Sequence, residues 1–126
     1  MAPPGAPAVV KRVIRAANEI YGKPYVWGGG HASWEDRGYD CSGAVGYALH
    51  GGGLVGSTMV SGELAYWGSP GLGRWITVHA NAEHVYMVVA GLRFDTRTPL
   101  TGTTGPRWHT YMVDPGPFTA RHPARL

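Results

Sequence analysis

The chain has 126 residues, 44% hydrophobic and 15% charged, which is enough apolar mass for a buried core and excludes a chain that is disordered as a whole. Its net charge of +3 comes from scattered Lys and Arg with no basic stripe, so nucleic acid is not an expected partner and a polyanionic surface fits as well. No stretch of about 18 apolar residues occurs, so no membrane-spanning helix is predicted.

Residues 1–7 are rich in Pro, Ala and Gly and hold no long apolar segment, so no signal peptide is expected there. They read as a linker or remnant, and residues 8–126 as one domain cut from a longer exported protein. The first helix is predicted over residues 8–21, where Val10, Val13, Ile14, Ala17 and Tyr21 recur at helical spacing. Gly22 and Pro24 end it. Pro24 to Trp27 is extended or turn-like and leads into Gly28-Gly29-Gly30, and residues 31–39 form a polar loop. A second helix starts at Asp40 or Cys41 and runs to about His50, ended by Gly51-Gly52-Gly53. Ser61 caps a short third helix through Tyr66, and residues 68–73 are loop.

From residue 74 the pattern turns to strands. Trp75, Ile76 and Val78 mark one, and Val85 to Ala90 is a mostly β-branched run suited to a central strand. Gly91 makes a tight turn from which Leu92 to Thr96 pairs back as a hairpin. Residues 97–106 read as loop, Trp108 to Val113 as a last strand, and the Pro-rich tail from Asp114 as irregular. Helices first and strands afterwards imply an α+β domain, with N-terminal helices packed on an antiparallel sheet.

Cys41 is the only cysteine. It cannot form an internal disulfide or a thiolate cage by itself, which leaves a small buried apolar residue or a nucleophile. A helix N-terminus favours anions, thiolates included. A thiol nucleophile needs a base, and of the six histidines His84 opens the most buried-looking strand. A hairpin centred near Ala90-Gly91 sets His84 opposite residues 95–97, so Asp95 is within reach if register and face agree, and could orient the imidazole.

The runs Lys23-Pro24-Tyr25-Val26-Trp27-Gly28-Gly29 and Tyr39-Asp40-Cys41-Ser42-Gly43-Ala44-Val45 resemble the nucleophile region of NlpC/P60 cysteine peptidases, G-x-P-Y-x-W-G-G followed by D-C-S-G-x-V. His84-Val85 is similar to the family's histidine strand, and the resemblance extends over about residues 8–96. It implies a papain-like fold and hydrolysis of peptidoglycan stem peptides, typically between γ-D-glutamate and a diamino acid. Residue by residue it implies Cys41 as nucleophile, His84 as base and Asp95 in the third position, where a histidine is common. Tyr25 matches the tyrosine beside the nucleophile, and Asp40 and Ser42 match residues that help shape the substrate pocket. It further implies a wall-associated, exported, monomeric enzyme without cofactor. The chain departs from the family pattern in lacking the aspartate of the preceding strand and in carrying Tyr86 two residues after the histidine, where glycine is usual.

No metal is expected, because His31, His79, His84 and Asp95 lie at no metal-ligand spacing. Gly28-Gly29-Gly30 lacks the G-K-[ST] of a phosphate loop. Trp34, on the loop before Cys41, is a candidate for lining a substrate groove. Two alternatives stand beside the peptidase: an acyltransferase or amidase on the same scaffold, and a non-catalytic wall-binding module.

Overall fold

The computed structural model describes residues 2–98, 102–113 and 116–126. Three helices precede six strands: α1 (Ala8–Ile20), α2 (Cys41–Gly51), α3 (Ser61–Leu64), β1 (Ser69–Pro70), β2 (Ile76–Ala80), β3 (Val85–Val89), β4 (Leu92–Thr98), β5 (Gly102–His109) and β6 (Thr119–His122). All strand pairs are antiparallel, in the order β1-β6-β2-β3-β4-β5. The α+β architecture follows the order of elements in the sequence.

α1 is amphipathic, burying Val10, Val13, Ile14, Ala17 and Ile20 while Lys11, Arg12 and Arg15 face outward. α2 is different. Its residues are apolar or small nearly all round, and Ser42 to Gly46, Ala48 and Leu49 are buried. A helix of that composition belongs inside. The glycines at its end set the approach of α1: a Cβ on Gly51 would collide with Ala16, and one on Gly52 with Val13. α2 thus lies between α1 and the sheet, packing on β3 and β4.

Both faces of the central strands are buried. One face carries Ile76, Val78, Ala80, Val85, Met87, Val89 and Phe94, none more than 1% exposed, and joins the helices in the apolar core. The other carries Thr77, His79, Tyr86, Arg93 and Asp95, also buried.

Several expectations are corrected. Residues 68–73, expected as loop, include β1, and α3 ends at Leu64 rather than Tyr66 with Val60, not Ser61, as its N-cap residue. The last strand, expected at residues 108–113, runs Gly102–His109 and pairs with β4 across an irregularity between Asp95 and Arg97. As the outer strand of the sheet it accommodates Pro106, which has no N–H to donate. The tail, read as irregular, supplies β6, inserted between β1 and β2. Arg121 fixes it there, donating to the carbonyls of Tyr66, Trp67 and Gly68. No helix among the described residues is long and apolar enough to cross a membrane.

Candidate active site

The site begins with a cap. Asp40 precedes α2, and its Oδ1 accepts from the Gly43 N–H at 2.7 Å while Oδ2 accepts from the Gly28 N–H at 3.1 Å. One carboxylate therefore ties the Trp-Gly-Gly segment to the start of the helix. The fit is close: a Cβ on Gly43 would strike the Gly29 carbonyl, and one on Gly29 the Gly38 carbonyl. Gly29 and Gly43 are a packing requirement of this junction, whereas Gly28 meets open space and supplies a positive φ of 77°.

The junction leaves Cys41 as the first residue of α2, partly exposed and free. In the first turn of a helix the backbone N–H groups lack helical acceptors and point at whatever approaches. His84 lies at the entry to β3, its backbone N–H held by Asn81 Oδ1 at 2.9 Å. Its ring is 4% exposed, and Nε2 lies 2.7 Å from Asp95 Oδ1. The Cys41 side chain is close enough to act on its protonation. With Nε2–H donating to the carboxylate, the Nδ1 lone pair is left for the thiol. Burial works against a charged imidazole here, but the bond to Asp95 and the nearness of Asp95 and Cys41 outweigh it and hold His84 above the ordinary value of 6.5.

Asp95 reaches His84 along a diagonal. The β3–β4 register pairs Met87 with Phe94 and Val88 with Arg93, so Asp95 shares the non-core face with Tyr86, one step along from His84. Its second oxygen is taken by Arg93 Nη1 in a buried ion pair. Arg93 was not singled out from the sequence, although the alternation Leu92-Arg93-Phe94-Asp95 puts the two on one face.

Cys41 opens into a cavity of about 370 Å³ lined by Tyr25, Trp27, His31, Asp40, Ser42, Val60 and Glu83 among others. Tyr25 is pushed up by burial and then by nearby Cys41 and Asp40, so its phenol stays protonated as a donor. His31, a second residue the sequence did not single out, sets Nε2 2.9 Å from Asp40 Oδ1 and 3.0 Å from Ser42 Oγ. Trp34 lies elsewhere: its ring stacks on His50 at 4.0 Å, and the tryptophan lining the cavity is Trp27, 88% exposed. A larger opening of about 570 Å³ at Lys23, Glu35 and Tyr47 contains no thiol and no histidine. Among the described residues no three His, Cys, Asp or Glu side chains converge as a metal site would.

A thiol at a helix start, an imidazole between thiol and carboxylate, and backbone donors at the same point can carry acyl transfer through a thioester. No family model and no curated protein matches this sequence. Solved structures do. The peptidoglycan hydrolase RipB of Mycobacterium tuberculosis superposes with a TM-score of 0.65 at 24% identity, over 96% of this chain and 72% of that one. The resuscitation-promoting-factor-interacting protein RipA, in a structure mutated at E444, gives 0.65 at 22% identity; 90% of this chain matches, spanning 61% of that chain. RipD of M. tuberculosis, described as a non-catalytic NlpC/p60 domain protein adapted to peptidoglycan binding, gives 0.65 at 18% identity over 92% of this chain and 98% of that one. Cys41, His84 and Asp95 thus stand on the scaffold of both hydrolytic and binding proteins, and the chain has the NlpC/P60 fold.

Proposed function

We propose that this chain is a peptidoglycan peptide hydrolase of the NlpC/P60 family that uses Cys41, His84 and Asp95 as nucleophile, base and orienting carboxylate. The observation that carries the reading is the buried His84–Asp95 pair, Nε2 to Oδ1 at 2.7 Å, electrostatically coupled to a Cys41 that starts α2 and lines an open cavity. His84 Nδ1 takes the thiol proton as Sγ attacks the peptide carbonyl. Backbone N–H groups of the first turn of α2, that of Cys41 among them, face the tetrahedral oxygen, and the neutral Tyr25 hydroxyl is a further donor near the thiol. The imidazolium then gives its proton to the leaving amine, the C–N bond breaks and a thioester remains. Water, deprotonated by His84, attacks the thioester carbonyl and releases the acid and the thiol.

The substrate in this reading is a wall stem peptide, cleaved between γ-D-glutamate and the diamino acid, by a protein acting outside the cell. Asp40 and Ser42, held by His31 beside Cys41, line the cavity that would receive this peptide. The test is digestion of purified peptidoglycan by the wild type and Cys41→Ala, with fragments read by mass spectrometry. New stem-peptide termini from the wild type alone are the expected result, and the fragment masses name the bond. Fragments joined by a new amide point instead to an acyltransferase. No fragments, with retained binding to the wall, overturn the hydrolase in favour of a binding module.

A further inference from the structure

Among the described residues Arg93 is the largest fully buried side chain, 1% exposed, and no step of the proposed reaction uses it. Burying a guanidinium is costly unless its charge and its donors are matched. Nη1 meets Asp95 Oδ2, Nε donates to the Tyr111 carbonyl at 3.3 Å, and the plane lies over the Tyr111 ring at 4.9 Å and the Tyr86 ring at 6.0 Å. Through Nη1, Nε and its ring contacts the guanidinium is therefore held from β4, from the segment after β5 and from β3 at once, while Nη2 is buried with no hydrogen-bond partner among the described residues. That fixes the direction of Asp95 Oδ2, and a planar carboxylate with one oxygen fixed has little freedom for the other. Oδ1 is the oxygen that His84 Nε2 and the Arg97 N–H use.

We propose that Arg93 is a positioning residue of the candidate site, which turns Asp95 Oδ1 to His84 and, by matching the carboxylate charge, limits how tightly the imidazole holds the proton taken from Cys41. The role rests on His84 serving as base. A base too strongly stabilised as imidazolium returns its proton slowly to the leaving amine, and a guanidinium behind the carboxylate offsets that stabilisation. The titratable and charged groups gathered around His84 are Cys41 from α2, His79 from β2, Tyr86 from β3, Arg93 and Asp95 from β4, His109 from β5 and Tyr111 from the segment after it.

The test is an NMR titration of the His84 ring nitrogens in the wild type, Arg93→Gln and Arg93→Lys, which reads Arg93 without any turnover. Loss of the cation in Arg93→Gln is expected to raise the His84 midpoint by about one unit or more, while Arg93→Lys, which keeps the charge, stays within a few tenths. An unmoved midpoint in folded Arg93→Gln overturns the proposal. Should Arg93→Gln not fold, Arg93→Lys decides alone. Without the planar fork its His84 Nε2–H is expected to exchange with solvent about tenfold faster than in the wild type, and an unchanged exchange rate overturns the proposal. A moved midpoint in a protein that leaves peptidoglycan intact sinks the hydrolase reading and leaves the Arg93–Asp95–His84 coupling standing.

Discussion

The two faces of β3 and β4 are buried to nearly the same degree and do opposite work. Toward the helices, Val85, Met87, Val89 and Phe94 are closed off with no polar atom among their side chains. Toward the other side, Tyr86, Arg93 and Asp95 are closed off as completely, with His84 at the strand entry, and their charges are matched against one another. Burial alone therefore does not distinguish core from site in this molecule. What distinguishes them is the cost of losing a partner. An apolar face loses contacts gradually, whereas a buried charge left alone is penalised heavily. The apolar face stabilises the fold, and the polar face uses some of that stability to hold a reactive geometry.

Substitutions on the two faces should separate accordingly. His84→Ala should show the largest effect, reducing peptidoglycan hydrolysis by about 10⁴-fold or more while circular dichroism stays that of the folded protein. Residual cleavage near the wild-type rate would place the base elsewhere. Asp95→Asn should lower kcat by about 10²–10⁴-fold through loss of ring orientation. It should also cost about 3–5 kcal/mol in denaturant melts, because Arg93 loses its buried counter-ion. A variant as stable as the wild type would contradict the polar face as drawn. Met87→Ala, on the apolar face, should destabilise by about 2–5 kcal/mol and leave turnover per folded molecule unchanged.

The smallest effect is one of pH. His84 is raised above 6.5, so the folded state binds its proton more tightly than the unfolded chain does. Its contribution to stability is fully present below the unfolded value and fades as pH rises through the folded one. His79 and His109 run the other way. Burial lowers both, with Arg93 adding to the effect on His109, so they weaken the fold as pH falls below 6.5. The melting temperature of the wild type relative to His84→Gln should therefore be highest in mild acid and decline through neutrality. A difference independent of pH would remove the ion pair from the account.

The same contrast explains what could be read from the sequence. The Cys41 side was legible because local rules and the motif agree there: Asp40 caps, glycines allow close approach, and the small apolar residues of α2 predict a buried helix. His84 with Asp95 was legible through hairpin arithmetic, since the turn at Ala90-Gly91 fixes the register. Arg93 was missed although strand alternation places it on the face of Asp95. A charged residue in a strand reads as solvent-facing unless the opposite face is known to be covered. β6 and the true extent of β5 were illegible for a different reason. The Thr, Gly and Pro content of β5 predicts loop, and β6 is a short piece of a Pro-rich tail; β5 is a strand because β4 pairs with it, and β6 because β2 and the carbonyls that Arg121 reaches are partners far away in sequence. Trp27 precedes the loop that carries Trp34, and only the tertiary stack of Trp34 on His50 decides which is left at the cavity.

The central claim is that His84 activates Cys41, and alkylation of that single thiol by iodoacetamide measures it without assuming a substrate. At pH 7 the wild type is expected to react about tenfold or more faster than His84→Ala, with Asp95→Asn in between. Equal rates in all three proteins would mean that the imidazole does not act on the thiol, and the hydrolase account would fail.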